Sequence, residues 1–559
     1  MRSLKKCVKL WDIVLCIVFA MWVSSPLWMH GHILFMGKVS TDNVVTPWFY
    51  DFIARSVWNG EDYTLLREFD YPNSHSYMIE FPSLMDAFLL APIAWIFEWP
   101  EQWAWTLTVT LLVNVIAVAS FAKVIGLGRW AVAFSGMSVA LLRPFWAEMV
   151  KGRLNVLLPG LAILAIVGIL LCFSKNEQGE RRGRSLRIFG AILAFSMGAI
   201  SALVYPPFLL MLIPLGAFVT ISFWRKSGFI SIFLPIIIGG LAYWAVFDIL
   251  WEIYFDNYRA LKCADLTCPD RYNSFAWSNL ALWEPVRNEG LSLSGLYAAP
   301  WLLVPMVLLH PKFRWSGLGL GIVSAIYAIL SLGPCPNSTP FKRMDAEWIT
   351  QLDPLLRPIW CSSMQLHDFG RYGMVTSLIL CICGGMALDS LWRFRSSFLK
   401  MLSLGLGIWI LSLSYQPLMQ EMLHLSKWHA IPNNPVADFL KDHSGEVVAE
   451  LPFDRSLQFL SALETPGNLR VNPIRPSRSS NTGGVFNEWL FTLSRGERPE
   501  ISPSANDMKI SRVDWVFFDK SRCKGKETEP CERWVKKELE SVLGVPKTLS
   551  IGVFVWAVD

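Results

Sequence analysis

Long apolar runs separated by short polar connections make up most of the chain, and its last part alternates apolar and polar residues more closely. An α-helix of about 20 apolar residues crosses the hydrocarbon core of a bilayer, so runs near that length are typical of transmembrane helices. We predict about eleven spans, which lie near residues 10–29, 103–125, 130–148, 154–173, 188–204, 206–224, 229–250, 295–310, 316–333, 371–392 and 401–418. The first follows the cationic stretch "MRSLKK" without a small-residue cleavage pattern, which favours a retained helix over a cleaved signal peptide.

The segment from Met419 to Asp559 has a different pattern. Period-two alternation in "GEVVAELPF", "VDWVFF" and "TLSIGVFVWAV" predicts strands, whereas "PVADFL" and "WVKKELESVL" have the pattern of helices. We therefore predict an all-α membrane domain over residues 1–418 and a small α/β domain over residues 419–559.

Composition agrees with the membrane class. Of the 559 residues, 53% are hydrophobic and only 17% are charged, and the chain contains 27 Trp and 35 Phe. A soluble domain does not need this much apolar surface. The formal net charge of +5 does not indicate nucleic-acid binding, because the basic residues are better explained by membrane topology.

The distribution of charge predicts which loops face the cytoplasm. Basic residues concentrate in short connections such as Lys175 to Arg187 and Arg393 to Lys400, and such connections are cytoplasmic by the positive-inside rule. Residues 30–102 instead contain ten Asp or Glu against three Lys or Arg, so we predict that this first loop lies outside. The apolar run Leu84 to Phe97 has 14 residues and contains Pro92. It is too short to span, and we expect a re-entrant or juxtamembrane helix. With this topology the C-terminal domain is extracytoplasmic.

Six cysteines fall outside the predicted spans, and the topology puts all six on the outer side. Thiols oxidise there, so we predict disulfides. The pairs are Cys263 with Cys268, Cys335 with Cys361, and Cys523 with Cys531. The stretch "CADLTC" could instead hold a metal ion, but two Cys and one Asp are few ligands.

Two carboxylates, Asp42 and Asp51, lie among aromatic residues after the first span, in "STDNVVTPWFYDFIARSVWNGEDY". The Thr46-Pro47 pair predicts a helix start and Gly60 a helix end, and the apolar residues of this helix favour an orientation flat on the membrane. Asp51 and Arg55 are four residues apart and can form an ion pair. Asp42 precedes the predicted helix. It is either a turn or capping residue or a carboxylate at the membrane interface that acts as a general base or cation ligand.

The layout of this loop resembles that of bacterial membrane glycosyltransferases with the GT-C fold, mannosyltransferase-like and arabinosyltransferase-like proteins among them. The matching features are Asp42 soon after the first span, a Trp-rich helix from Trp48 to Gly60, the Tyr71-Pro72 pair, and the short apolar helix Leu84 to Phe97. The later segment "HDFGRYGMVTSLILCICGGMALDSLW", in which Arg371 opens a Gly-rich span, is also similar. Many members carry adjacent acidic residues in the first loop, whereas here Asn43 follows Asp42.

The resemblance implies an enzyme of the cytoplasmic (inner) membrane that moves a sugar from a polyprenyl-phosphate donor to an acceptor on the outer face. The acceptor could be a lipid, a glycan or a protein. Asp42 would deprotonate the acceptor hydroxyl, and basic residues would hold the lipid phosphate. No metal or other cofactor is expected. A divalent cation is chemically possible, but no ligand cluster supports one.

A phosphate leaving group requires cations at headgroup depth. The cation candidates are Arg371, Arg153 and Lys151, and the further candidates for substrate binding are Asp51 and His367. Each has a simpler interpretation. Lys151 and Arg153 could extend to lipid headgroups, Arg371 could pair with Asp368, and a lone His has many structural roles.

Two other functions fit a membrane protein of this kind. A lipid or polysaccharide transporter usually has broken helices and polar groups deep inside its spans, whereas here the charged candidates gather near the outer boundary. The other alternative is a non-catalytic protein of cell-envelope assembly. Removal of the Asp42 carboxylate separates an enzyme from such a scaffold.

Overall fold

A computed structural model of the chain describes most of residues 11–204 and 428–558, with the segments 304–309, 314–331, 337–339, 342–343, 372–394 and 396–423 between them. The described residues divide into two compact units. The helical unit comprises Met1–Gly31, Ser83–Asp86 and Ala104–Lys427, and the sheet unit comprises His32–Pro82, Ala87–Trp103 and Trp428–Asp559. Most of the first polar loop thus belongs to the same unit as the C-terminal segment. The domain limits 1–418 and 419–559 stay predictions.

Helices dominate the described residues. They are α1 (Trp11–Val23), α2 (Ser25–His30), α3 (Thr41–Asn59), α4 (Met85–Ala94), α5 (Glu101–Val124), α6 (Arg129–Ala140), α7 (Arg143–Val150), α8 (Pro159–Phe173), α9 (Arg184–Val204), α10 (Arg314–Ser331), α11 (Tyr372–Trp392), α12 (Ser397–Leu423), α13 (Pro435–Leu440), α14 (Arg455–Glu464), α15 (Gly484–Ser494), α16 (Ala505–Ser511) and α17 (Lys536–Leu543). Short 3₁₀ helices cover Leu154–Leu157 and Val304–Leu309, and a π-helical turn covers Cys531–Val535.

Strands are short. They are β1 (Leu34–Met36), β2 (Leu65–Leu66), β3 (His75–Ser76), β4 (Asn337–Thr339), β5 (Lys342–Arg343), β6 (Trp428–Ala430), β7 (Val447–Leu451), β8 (Leu469–Arg470), β9 (Trp515–Asp519), β10 (Lys547–Ser550) and β11 (Val553–Ala557).

Four helices in the described part of the chain are long and apolar enough to cross a membrane: Glu101–Val124, Arg184–Ser201, Met374–Trp392 and Ser397–Gln416. Shorter apolar helices cover Trp11–Val23, Met85–Ala94 and Pro159–Cys172. The membrane class predicted from the apolar runs therefore agrees with the structure. The number of eleven spans stays a prediction, since those near 206–224 and 229–250 lie outside the described residues.

The predicted span 130–148 is divided between α6 and α7. Pro144 explains the break, because it has no N–H to donate to the carbonyl of Ala140, four residues earlier. The indole Nε1 of Trp146 donates to that carbonyl at 2.9 Å and so replaces the missing backbone bond. A single proline thus turns one predicted helix into two shorter ones.

Helices α8 and α9 pack closely through two glycines. A Cβ atom built on Gly168 would lie 2.6 Å from the carbonyl oxygen of Gly190, and one on Gly190 would lie 2.7 Å from that of Gly168. Small residues let helix backbones approach in this way inside membranes. This hairpin flanks the basic connection that we predict to be cytoplasmic.

The sheet unit is built on a five-stranded sheet with the order β10-β11-β9-β7-β8. Strand β7 runs parallel to β8 and β9, whereas β11 runs antiparallel to β9 and β10. All five residues of β7 are buried, because helices and loops cover both faces. Leu451 and Phe518 contribute to the core on one face, and Val448 and Phe517 contribute to the other. Strands β7, β9 and β11 lie on the three stretches whose alternation predicts strands. An extracytoplasmic location for this sheet stays a prediction.

Strand β1 of the first loop pairs antiparallel with β6, with Leu34 opposite Ala430. These strands are nearly 400 residues apart, as their numbers show. A pairing of this range leaves no local signal in the sequence. It joins the first polar loop to the start of the C-terminal segment.

Helix α3 differs from the prediction in two ways. It begins at Thr41 and contains Pro47, so Asp42 lies in its first turn instead of preceding it. Val44 and Val45 are 1% and 5% exposed, and their burial offsets the hydrogen bond that Pro47 cannot make.

The second difference concerns the apolar face of α3, which we predicted to lie flat on a membrane. Trp48 and Ile53 are 0% exposed, so this face packs inside the sheet unit. The exposed apolar side chains lie at the other end, where Trp58 is 73% exposed and its ring centroid is 5.6 Å from that of Trp95. A role of this end at the membrane surface stays a prediction.

Candidate functional site

Asp42, the predicted catalytic carboxylate, occupies the second position of α3. Its backbone is described and its side chain is not. Carboxylates in the first turn of a helix interact favourably with the N-terminal end of the helix dipole. The backbone of Asp42 thus belongs to a helix whose next turns are buried.

Asp51 forms the ion pair that its spacing predicts. Its Oδ2 accepts a hydrogen bond from Nε of Arg55 at 2.7 Å. The two side chains are 21% and 30% exposed, so solvent weakens the pair and its contribution is about 0.2–0.5 kcal/mol. This confirms the simpler interpretation of Asp51. A role in substrate binding stays a prediction.

The segment of α4 and the residue after it contacts α3 and the residues that follow α3. The indole Nε1 of Trp95, just after α4, donates to the carbonyl of Ala54 at 2.8 Å. The rings of Tyr63 and Phe88 meet edge to face at 5.1 Å. The predicted short helix is confirmed over Met85–Ala94, and Trp95, just after it, is hydrogen-bonded to the helix that carries Asp42.

Helix α14 of the C-terminal segment supports α3 from another side. The ring of Phe459 lies 4.8 Å from that of Trp48, measured between centroids. Phe69, from the same loop as α3, meets Trp48 edge to face at 5.1 Å and lies 4.7 Å from Phe459. All three residues are 0% exposed. We call Trp48, Phe69 and Phe459 the aromatic cluster.

A buried ion pair lies directly behind the aromatic cluster. Nε of Arg470 is 3.3 Å from Oε1 of Glu450, and both side chains are 0% exposed. The other donors of Arg470 reach the carbonyl oxygen of Asn468 at 3.0 Å, Oγ1 of Thr465 at 3.0 Å and Oγ of Ser461 at 3.4 Å. The spacing of these residues in the sequence does not predict this pair. The available signal was a glutamate within an apolar strand, in "GEVVAELPF".

Glu464, at the end of α14, is the titratable group whose environment is most unusual among those described outside the predicted spans. Burial raises its pKa to about 7, against the smaller opposing effects of a hydrogen bond from Asn434 and of the charge of Lys441. Its Oε2 is buried without a hydrogen-bond partner among the described residues. The carboxyl therefore changes its charge near neutral pH.

The predicted phosphate-binding cations and the predicted proton relay lie outside the described residues. This holds for Lys151, Arg153, His367 and Arg371. Two neighbouring observations agree with the sequence analysis: Gly152 has a φ of 74°, as a tight turn requires, and α11 begins at Tyr372, the residue after Arg371. Of the predicted site residues whose side chains the structure describes, Asp51 lies against its expected ion-pair partner, Arg55.

The cysteines are partly described. Cys523 is buried and disulfide-bonded, whereas Cys16, Cys172, Cys381 and Cys383 are free. The predicted partner Cys531 begins a π-helical turn, and its side chain is not described. Cys263, Cys268, Cys335 and Cys361 lie outside the described residues. The three specific pairings stay predictions.

Metal ligands do not cluster in the described part of the chain. No group of three or more His, Cys, Asp or Glu side chains there could hold a metal ion.

Comparison with known proteins gave matches among solved structures. No family model matches the chain, and no curated protein matches it. ArnT from Cupriavidus metallidurans, bound to undecaprenyl phosphate, is 11% identical with a TM-score of 0.53, and the match covers 97% of this chain and 98% of that one. The apo state of the same protein is 10% identical with a TM-score of 0.50 and the same coverage.

An oligosaccharyltransferase from Archaeoglobus fulgidus in the apo form is also similar. It is 11% identical with a TM-score of 0.49, over 94% of this chain and 71% of that one. The match to ArnT extends over nearly the whole length of both chains, and it is a match of architecture, since few residues are identical. The chain has the GT-C fold.

Proposed function

We propose that this protein is a glycosyltransferase that moves a sugar from a polyprenyl-phosphate donor to an acceptor on the outer face of the cytoplasmic membrane. The observation that carries the proposal is the architectural match to ArnT, whose solved structure binds undecaprenyl phosphate. The predicted membrane topology and the acidic first loop favour a site on the outer face of the membrane.

Asp42 is the proposed general base. It takes the proton of an acceptor hydroxyl, whose oxygen attacks the anomeric carbon of the donor sugar. The bond between that carbon and the phosphate oxygen breaks, and the polyprenyl phosphate leaves with the electron pair. A positioned general base typically contributes about 10²–10⁴-fold in rate.

The cations serve the leaving group. Arg371, Arg153 and Lys151 are proposed to neutralise the phosphate, which gains charge as the bond to the sugar breaks. His367 is proposed to relay a proton near Arg371, its close neighbour in sequence. No step in this scheme requires a metal ion.

The test is transfer of labelled sugar in membranes that contain the protein. A panel of labelled polyprenyl-phosphate sugars is supplied, and labelled acceptor is detected by chromatography. Asp42→Asn keeps the size of the side chain but cannot accept the proton, so we expect a loss of about 10²–10⁴-fold. Asp438→Asn, at a position with 61% side-chain exposure on α13, is the matched control and should transfer at the wild-type rate.

Three results would reject the scheme. Transfer from none of the donors removes the proposed activity, and full activity of Asp42→Asn removes the proposed base. A normal rate for Asp51→Asn is expected, because that variant keeps the size of the side chain and weakens a partly exposed ion pair with Arg55. A large loss there would instead move the catalytic role to Asp51.

A further inference from the structure

We propose that Arg470 is a positioning residue, which holds α3 and thereby Asp42 in place from the C-terminal segment. The proposal rests on the proposed function for the role of Asp42, but the contact between Arg470 and α3 is observed independently of it. Arg470 does not touch a reacting group in this proposal. It acts through Phe69 and Trp48.

The guanidinium of Arg470 joins three elements of the sheet unit. It is bonded to Glu450 of β7, to Ser461 of α14 and to Thr465 just after α14. Since Arg470 itself lies in β8, these contacts fix α14 against the sheet. An arginine can do this with one side chain, because its donors point in fixed directions within a plane.

The guanidinium also contacts a residue of the first loop. Its Cζ lies 5.8 Å from the ring centroid of Phe69, within the range of a cation–π contact. Phe69 in turn meets Trp48 of α3 edge to face at 5.1 Å. Arg470, Phe69 and Trp48 thus form a continuous buried path from the sheet to α3.

Asp42 lies six positions before Trp48 in the same helix. At 1.5 Å per residue this is about 9 Å, less than two helical turns. A shift of the helix at Trp48 therefore displaces Asp42 by a similar amount. Because a misplacement of about 1 Å can cost about 100-fold in rate, a firm hold on α3 matters for catalysis.

A buried ion pair is a costly way to achieve stability alone. Well-packed apolar side chains of similar volume often stabilise a fold as well or better, whereas a pair of charges fixes one arrangement of the groups around it. Both members of this pair are 0% exposed, and Arg470 contacts both α14 and the first loop. Its placement is what a positioning role requires.

The test measures the position of α3 and the chemistry separately, in the full chain in membranes. Ser56 of α3 is 1% exposed, so Ser56→Cys provides a buried thiol whose rate of modification by a membrane-impermeant maleimide reports opening of the helix. Modification is quantified by mass spectrometry on the peptide that contains residue 56, because the chain has 11 other cysteines.

The principal variant is Glu450→Met with Arg470→Met. It removes both charges, so no unpaired charge is left buried and the sheet should still fold. We expect the labelling rate at Ser56→Cys to rise by about tenfold or more and kcat for sugar transfer to fall by about 100-fold, with an unchanged donor KM. Phe69→Leu, which keeps the apolar bulk but removes the aromatic face, should act in the same direction with a smaller effect.

Arg498→Met replaces an exposed arginine of the same unit and should change neither quantity. If the double variant is folded, as judged by protease resistance of the C-terminal segment, and labels like the wild type, the proposal is wrong. Faster labelling with an unchanged kcat also overturns it, since the position of α3 would then have no effect on the rate of sugar transfer. If the wild type transfers no sugar from any donor, the proposed function fails, while the labelling rates still decide whether Arg470 holds α3.

Discussion

Charged side chains with little exposed surface join distant parts of this chain. Asp389 is 2% exposed, accepts a hydrogen bond from the backbone N–H of Gly128 at 3.1 Å and pairs with Arg393 at 2.7 Å. The pair of Glu450 and Arg470 does the same within the sheet unit. Neither tertiary contact could be predicted from spacing. The pair of Asp51 and Arg55 could, because residues four apart on a helix are always neighbours.

Glu464 makes the stability of the sheet unit dependent on pH. Its pKa is about 7 in the folded chain and near 4.5 for an ordinary glutamate, so the folded state holds a proton that the unfolded state releases between these values. The contribution of Glu464 to stability is therefore greatest below about pH 4.5, falls as pH rises, and levels off above about pH 7. The effect is at most about 2 kcal/mol, because the side chain is partly exposed and solvent screens it.

Glu464→Gln keeps the neutral form at every pH. We expect it to resemble the wild type at pH 5 and to be more stable at pH 8, as measured by protease resistance of the C-terminal segment in the solubilised full chain on heating. Glu500→Gln, at an exposed position, serves as the control and should leave the pH dependence intact. Equal gains for Glu464→Gln at pH 5 and pH 8 would show that titration is not the cause.

At the scale of elements, local pattern predicted which segments form helices and strands better than where they end. Strand β7 and helix α13 were predicted from "GEVVAELPF" and "PVADFL", and the structure adds an N-cap to α13, where Oδ1 of Asn434 accepts from the N–H of Ala437 at 3.3 Å. The start of α3 was predicted wrongly, since tertiary burial of Val44 and Val45 extends the helix beyond Pro47. The pairing of β1 with β6 has no local signal at all.

The contact between α8 and α9 predicts an asymmetric response to glycine substitution. A Cβ on Gly168 would lie 2.5 Å from the backbone nitrogen of Ala194, which cannot move without the helix, whereas a Cβ on Gly405 meets no atom within 4 Å. We expect Gly168→Ala to destabilise the solubilised protein by about 1–3 kcal/mol. Gly405→Ala should be neutral or stabilising by up to about 1 kcal/mol. Thermal unfolding followed by gel filtration distinguishes them, and equal midpoints would contradict the close packing.

The whole molecule comprises a unit of apolar helices and a sheet unit that contains most of the first polar loop and the C-terminal segment. Composition predicted the membrane class because apolar runs are local and numerous. It could not predict that the first loop folds with a segment more than 300 residues later, since that association depends on side chains such as Phe69 and Phe459. The proposed carboxylate and its proposed support therefore come from opposite ends of the sequence.

The last prediction concerns the side of the membrane on which this unit lies. Oxidised Cys523 is expected outside the reducing cytoplasm, and the positive-inside rule puts residues 174–187 on the cytoplasmic side.

An Arg182→Cys variant in intact cells should therefore resist a membrane-impermeant maleimide until the membrane is opened. Ile551→Cys, which replaces a side chain 96% exposed in the sheet unit, should react at once. Mass mapping without reduction should also find Cys523 joined to Cys531. Labelling of Arg182→Cys from outside, or of Ile551→Cys only after opening, would reverse the topology and place Asp42 on the wrong side for the proposed reaction.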